Sequence, residues 1–199
     1  MTPEPIKAFI ARFARLPAIG PRLATRLAFY VATQGEQTIV ELAAALQGLA
    51  TLDLCPQCFT LKPRSETTCA VCSDPTRTPR VVAIVERDTD RMALERTGRY
   101  HGRYLVMGEL PERGVLEPEH RRRLTYLADR IRRDAGGKID EVIIAVGLHS
   151  FGDLLAGLIR EEFQGLAKKI TRLGRGIPTG GEIEFADEET LCAALERRG

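Results

Sequence analysis

Four cysteines have the spacing of a metal site. They form two Cys-x2-Cys pairs, Cys55 with Cys58 and Cys69 with Cys72, separated by ten residues. Zinc takes four ligands in a tetrahedron, and each such turn can point two thiolates at one position. The stretch from 55 to 79 also holds four prolines and has no hydrophobic periodicity, so burial alone would not fold it. The pattern predicts one structural Zn²⁺ per chain, which contributes folding free energy and no chemistry.

Two alternatives remain open for these thiols, namely two disulfides or four free thiols. The first 20 residues carry Lys7, Arg12 and Arg15 and no apolar run, so they do not resemble a secretory signal, and disulfides are typical of secreted chains. A cytoplasmic protein is therefore expected. The fifth cysteine, Cys192, stands beside Leu191 on a predicted C-terminal helix, which favours a small core residue over a reactive thiol.

Four arginines flank a short predicted turn between two helices. The turn has the sequence Leu-Pro-Ala-Ile-Gly-Pro-Arg over 16–22. Arg12 and Arg15 precede it, Arg22 is its last residue, and Arg26 follows four residues later. A helix that begins after such a turn presents free backbone N–H groups to a phosphate, and residues four apart share a helix face. Phosphate contacts of this kind hold DNA without reading its sequence. The pattern predicts a DNA-binding hairpin, and the alternative is an ordinary helix corner with solvated arginines.

The helices that position these arginines are predicted from the spacing of apolar residues and from the prolines that end or begin them. Apolar residues at helical spacing predict a helix from 4 to 15, ended by Pro17, and a second helix begun by Pro21. Thr38 and Glu41 have the spacing of a capping box, which predicts that a third helix starts at this point.

From residue 80 onward, strand patterns alternate with helix patterns, which is typical of a mainly parallel sheet. The predicted strands are Val81–Val85, Tyr104–Met107, Val142–Val146 and Lys169–Leu173. The predicted helices are 89–97, 118–134, Leu154–Phe163 and Asp187–Leu195.

The composition is that of an ordinary globular protein. The 199 residues are 44% hydrophobic and 28% charged with a net charge of +2, which excludes a collagenous, coiled-coil or wholly disordered chain. The length predicts one large or two small domains. The longest apolar run, 142–146, is far shorter than the ~20 residues of a membrane span, so no membrane partner is expected.

The order of these motifs resembles the RecR family of bacterial recombination mediators. The run 16–29 is similar to that family's helix-hairpin-helix, although the family usually has glycine where Ala18 stands and often lysine where Arg22 stands. The four-cysteine finger follows, and 85–98 resembles the opening of a Toprim domain. The run 171–185, Thr-Arg-Leu-Gly-Arg-Gly-Ile-Pro-Thr-Gly-Gly-Glu-Ile-Glu-Phe, is similar to the family's C-terminal signature.

The resemblance implies an α+β protein in four parts. They are a helix-hairpin-helix DNA-binding region (1–53), a C4 zinc finger (54–79), an α/β Toprim domain with a mainly parallel sheet (80–175) and a C-terminal oligomerisation segment with a strand and a helix (176–199). It implies a non-enzymatic mediator of DNA repair in the RecF pathway, which acts with RecO and RecF to help load RecA on single-stranded DNA. It also implies a ring-like homo-oligomer, a dimer or a tetramer, that can surround DNA.

One departure from the family concerns catalysis and partners. Toprim enzymes hold Mg²⁺ with a glutamate after the first strand, here Glu86, and with paired acids after a later strand. In this chain Phe151 replaces the first of the later acids and Asp153 alone is kept. Mg²⁺ chemistry usually needs more than one carboxylate in a dense oxygen shell, so no catalysis is expected. Glu86 and Asp153 are then a weak divalent site or a partner-binding surface.

Two other functions stay open at this point. One is a Toprim-type metal-dependent nuclease or primase-like enzyme, and the other is a zinc-ribbon interaction module that does not bind DNA. Two basic runs, 121–133 and 168–175, are interpreted as solvated faces, and the second could line a DNA channel in an oligomer.

Overall fold

The computed structural model describes residues 2–110, 115–134, 136–147, 150–174, 176–177 and 180–196, without the side chains of Ser150, Phe151, Glu189 and Glu196. The chain separates into two compact units, Met1–Leu52 and Asp53–Gly199. No helix within these ranges has the length and apolar character that a membrane span requires.

The first unit consists of three helices, α1 (Glu4–Phe13), α2 (Pro21–Thr33) and α3 (Glu36–Leu49). The helix α1 ends two residues before the predicted Arg15, and Pro21 is the first residue of α2 as predicted. The capping box predicted at Thr38 is wrong. Gly35 has a φ of 87° and is the N-cap of α3, which begins at Glu36. Thr38 lies inside this helix, and its hydroxyl donates back to the carbonyl of Gln34, the C-cap of α2.

The second unit begins with a small two-stranded sheet, β1 (Leu52–Leu54) and β2 (Leu61–Pro63), followed by the short helix α4 (Ala70–Ser73). It continues through a four-stranded sheet and its helices. These are β3 (Val81–Val85), α5 (Asp88–Arg96), β4 (Arg103–Val106), α6 (Pro118–Asp134), β5 (Ile139–Ala145), α7 (Ser150–Phe163), β6 (Ala167–Arg172), a 3-10 turn (Ile183–Phe185) and α8 (Glu188–Glu196).

The sheet has the strand order β4-β3-β5-β6, and every neighbouring pair is parallel. The predicted parallel sheet and the mixed α+β class are therefore confirmed. The register pairs Val82 with Arg103 and with Val142, so the strands end together at one edge. The largest boundary difference is at α7, which begins at Ser150, four residues before the predicted start at Leu154.

Different elements pack against the two faces of this sheet. On one face Val82, Ile84 and Val142 pack with buried residues of α6 and α7. On the other face Ala83 and Val85 form one cluster with the four cysteines. The cysteine segment and Leu94 of α5 thus cover this face together.

Candidate metal centre and nucleic-acid interface

The backbone of the hairpin between α1 and α2 is fixed by three residues. Ala18 adopts a left-handed φ of 61°, an unusual conformation for a residue with a Cβ atom. Gly20 is the N-cap of α2, with extended backbone and no side-chain cap, and Pro21 has no N–H. Among the described residues, nothing accepts a hydrogen bond from the N–H of Arg22 or Leu23. These amides are therefore free to bind an anion at the positive end of the helix dipole.

The four predicted DNA-binding arginines surround this hairpin. Arg12, Arg15, Arg22 and Arg26 are all exposed, and none forms a hydrogen bond or an ion pair with a described residue. By contrast, the Lys7 ammonium on α1 lies 3.2 Å from the Glu4 carboxylate. The hairpin therefore carries cations that no acid in the described part of the chain neutralises, although DNA contact itself stays a prediction.

The four predicted metal ligands converge. The ligand sulfurs of Cys55, Cys58, Cys69 and Cys72 all lie within 4.8 Å of one another, and the Sγ atoms of Cys58 and Cys69 are 3.5 Å apart. A tetrahedron with zinc–sulfur bonds of 2.3 Å has edges of about 3.8 Å, so these separations fit one tetrahedral ion. Among the described residues, this is the only group of three or more His, Cys, Asp or Glu side chains that could hold a metal.

The electrostatics of the cluster also favour a cation. Hydrogen bonding with Cys69 and Cys72, followed by burial, raises the pKa of the Cys58 thiol. Hydrogen bonds from Cys58 and Cys72 lower the pKa of Cys69. Metal ligation requires the thiolate form, so a divalent ion would stabilise the deprotonated cysteines. All four residues are less than 10% exposed, so the site is closed and suits a structural ion.

Hydrogen bonds join the cysteine segment to the parallel sheet. The Val106 N–H donates to the Cys58 carbonyl (2.8 Å), which covers the open edge of β4. The Arg103 guanidinium donates to the carbonyls of Val71 (2.5 Å) and Asp74 (3.0 Å). No local sequence signal pointed to Arg103, because its partners lie about thirty residues away in the chain.

A second junction links the cysteine segment to α6. Phe59, with a left-handed φ of 63°, packs edge-on against Tyr126 and lies 5.0 Å from the Arg123 guanidinium. Arg123 is buried, and its Nη1 donates to the Val106 carbonyl at 2.9 Å. The interpretation of the whole run 121–133 as a solvated face is therefore wrong for Arg123, which is held inside by the aromatic ring and the carbonyl.

The two acids of the possible divalent site do not belong to a group of three or more metal-binding side chains among the described residues. Glu86 lies at the end of β3, 3.2 Å from the Arg87 guanidinium, and lines a crevice of about 510 Å³ together with Gly147. Asp153, in the first turn of α7, forms an ion pair with Arg172 and does not line that crevice. An arginine thus neutralises each acid.

The basic run 168–175 is mostly neutralised as well. Lys168 lies 2.7 Å from the Asp140 carboxylate, Lys169 lies 3.7 Å from Glu141, and Arg172 pairs with Asp153. Charged residues on an edge strand such as β6 also discourage pairing with other chains. The hypothesis that this run lines a DNA channel loses support, although Arg175 lies outside the described residues.

The prediction that Cys192 is a core residue is wrong. Cys192 is exposed on α8, and its neighbour Leu195 is 61% exposed. The helix is therefore exposed at these two residues and only partly buried at Leu191.

Comparison with known families gives three matches that follow the order of the motifs. Residues 6–49 match the family described as RecR, helix-hairpin-helix, residues 80–174 match the Toprim domain, and residues 176–198 match RecR, C-terminal.

Curated proteins named "Recombination protein RecR" are similar to this chain over nearly its whole length. The protein of Roseiflexus castenholzii is 38% identical, over 98% of this chain and 94% of its own length. That of Herpetosiphon aurantiacus is 37% identical over 100% and 95%, and that of Myxococcus xanthus is 34% identical over 100% and 98%.

Proposed function

The chain belongs to the RecR family of recombination proteins, and from this premise we propose that it is a non-enzymatic mediator that grips the DNA backbone with its helical hairpin. Its role lies in recombination and repair. The proposed ligand, chromosomal DNA, implies a cytoplasmic protein.

The observation that carries this proposal is the charge of the hairpin. Free amides at the start of α2 lie beside four exposed arginines that have no acidic partner among the described residues. Amides and guanidinium groups both bind phosphate oxygens, and neither reads the bases. We therefore assign DNA contact to Arg22 and Arg26, supported by Arg12 and Arg15, with little dependence on sequence.

We propose Zn²⁺ as the ion of the four-cysteine site, one per chain. The donor set of four thiolates at tetrahedral spacing suits zinc, and the site leaves no open position for a substrate. Its role would be to hold the segment 54–79 against the sheet. When bound, the metal supplies cross-linking and no reaction step.

We propose that the protein is a homo-oligomer, a dimer or a tetramer. In the first unit Ala24 and Ala28 are the described residues that are buried, whereas Leu42 and Leu46 are exposed beside an apolar cavity of about 550 Å³. Three helices of this kind have no closed core of their own, and a second copy of the chain could cover them. The ring-like assembly of the family would then present several hairpins to one DNA molecule.

We propose RecO and RecF as protein partners that help load RecA on single-stranded DNA. The surface for these partners would lie around Glu86 and Asp153. The ion pairs of both acids with arginines disfavour a Mg²⁺ site there. For the same reason a Toprim-type nuclease or primase-like activity is not proposed.

We also propose that the chain consists of four regions with different functions. The hairpin region is 1–53, the zinc finger 54–79, the Toprim domain 80–175 and the C-terminal oligomerisation segment 176–199. The division of the chain into compact units after Leu52 supports the first of these boundaries.

Binding to labelled DNA of two unrelated sequences tests the function. We expect Arg22→Glu with Arg26→Glu to weaken binding to both sequences about equally and by at least tenfold, because two phosphate contacts become repulsive. Lys7→Glu with Lys168→Glu is the control, because it changes the charge equally at residues that already pair with acids. Equal affinity of the hairpin variant and the parent would contradict the proposed contact between the hairpin and the DNA backbone.

A further inference from the structure

The helix α6 has a surplus of positive charge that its own acids do not cancel. It carries six arginines and three acids. Each acid pairs with one arginine, Glu119 with Arg123, Asp129 with Arg132 (2.7 Å) and Asp134 with Arg130 (3.6 Å). Arg121, Arg122 and Arg133 are left without an acidic partner among the described residues.

Two of these arginines lie on one side of the helix. Arg122 and Arg133 are eleven residues apart, which is three turns of an α-helix and about 16 Å along its axis. Both are exposed, and neither forms a hydrogen bond with a described residue. Arg121 lies about 100° away around the helix, and its Nε donates to the Leu116 carbonyl. Asp129 lies between them on this side but is paired with Arg132, and Glu119, whose pKa Arg122 helps to lower, is paired with Arg123. Arg122 and Arg133 are therefore the two arginines of this side without an ion pair among the described residues.

The C-terminal turns of α6 also border a cleft that three arginines line. This cleft of about 260 Å³ lies at the amino-terminal ends of the parallel strands, and Val82 and Ile131 lie at its base. Its lining includes Arg80, Arg103 and Arg130 but only one acid, Asp134. Arg80 is paired with Asp140 (2.8 Å) and Arg130 with Asp134, whereas Arg103 donates to backbone carbonyls of the cysteine segment. The cleft is therefore largely neutralised and is not part of the unpaired positive charge of α6.

We propose that the Arg122–Arg133 face of α6 is a second contact for the backbone of a DNA strand, separate from the hairpin. Two unpaired guanidinium groups about 16 Å apart suit a ligand with repeated negative charges, and phosphodiesters have that form. This inference rests on the proposed function, because it assumes that DNA is the ligand. It adds a binding surface on the second unit, where the other basic run is neutralised by acids.

The salt dependence of binding tests this second contact. The full-length variant Arg122→Ala with Arg133→Ala is compared with the parent by fluorescence anisotropy on a labelled oligo-dT strand over a series of KCl concentrations. The control, Arg132→Ala with Lys168→Ala, removes the same charge from residues that are paired with acids. We expect the α6 variant to bind more weakly and its salt slope to fall by about 1.4, because each phosphate contact to a single strand contributes about 0.7. The control should keep the slope of the parent.

The result that overturns the inference is an α6 variant with the affinity and the slope of the parent, or a control with an equal loss. Arg122→Lys with Arg133→Lys keeps the charge and should retain the slope, which separates a charge effect from a folding defect. If the hairpin variant loses affinity and the α6 variant does not, this inference fails while the proposed function stands. A parent without affinity for DNA would overturn both.

Discussion

At the scale of single residues, Ala18 is the clearest case of local strain. It holds a left-handed φ of 61° in the hairpin, where its Cβ atom disfavours the conformation by roughly 1–2 kcal/mol. Glycine adopts this conformation without that cost, but it makes the unfolded chain more flexible, which offsets part of the gain. We expect Ala18→Gly to raise the free energy of unfolding by about 1 kcal/mol, measured by urea denaturation. A lower stability of the variant would show that the hairpin does not impose this conformation.

At the same scale, substitution of Cys58 tests the metal site. Its sulfur lies 3.5 Å from that of Cys69, and the residue is fully buried. We expect Cys58→Ser to lower the metal content well below one zinc per chain and to destabilise the second unit, because three thiolates are a weaker and less complete ligand set. Elemental analysis of protein purified without chelators measures this. Cys192→Ser, at an exposed position outside the cluster, should keep its zinc, and a parent protein without zinc would contradict the assignment.

At the scale of elements, Glu95 joins α5 to β4 and to the segment before β3. Its carboxylate accepts hydrogen bonds from Arg77 (2.9 Å) and from the Tyr104 hydroxyl (2.6 Å). Burial alone would raise the pKa of Glu95, but the hydrogen bonds from Arg77 and Tyr104 outweigh burial and hold the pKa below its ordinary value.

The sign of the pH dependence follows from this lowered pKa. The stabilisation by Glu95 is fully present above the pKa of a glutamate in the unfolded chain, about 4.3, and is lost as the pH falls through the lower pKa of the folded state. We expect Glu95→Gln to reduce the free energy of unfolding by about 1–2 kcal/mol at pH 7 and by progressively less in acid. A difference between the variant and the parent that does not change from pH 7 to the acid range would contradict this assignment.

The elements themselves were predictable to different degrees. Periodicity predicts the buried strand Val81–Val85 and the helix 118–134 with the bounds that the structure shows, because burial on one side dictates the pattern. The start of α3 was not predictable from Thr38, because the conformation of Gly35 decides it. Ion pairs across the sheet, such as Lys169 with Glu141, were also hidden, since strand register and not sequence distance brings them together.

The metal ligands were predictable because their spacing in the sequence determines the site. Contacts that depend on tertiary packing were not predictable. The Cys-x2-Cys pairs predict the four ligands, and the structure brings them within 4.8 Å of one another. The packing of these cysteines against Ala83 and Val85 was not visible in the sequence, because nothing local distinguishes a finger that stands alone from one that covers a sheet.

At the scale of the whole molecule, the open apolar surface of the first unit predicts self-association. Leu46 is 56% exposed and lines the apolar cavity of this unit. We expect Leu46→Glu to shift the mass measured by light scattering towards that of a single chain, because a buried, unpaired carboxylate would oppose the interface. Val40→Glu is the control, since Val40 is similarly exposed but does not line the cavity. An unchanged mass for the Leu46 variant would place the interface elsewhere.

The central claim is that the hairpin holds DNA through its phosphates, and the salt dependence of binding tests it most directly. The measurement compares Arg22→Ala with Arg26→Ala against the parent, on a single strand and on a duplex, over a series of KCl concentrations. If both arginines contact phosphates, the slope of log K against log salt falls by roughly 1.4 on the single strand and 1.8 on the duplex. A slope equal to that of the parent on both ligands would contradict the account and move the DNA contact away from the hairpin.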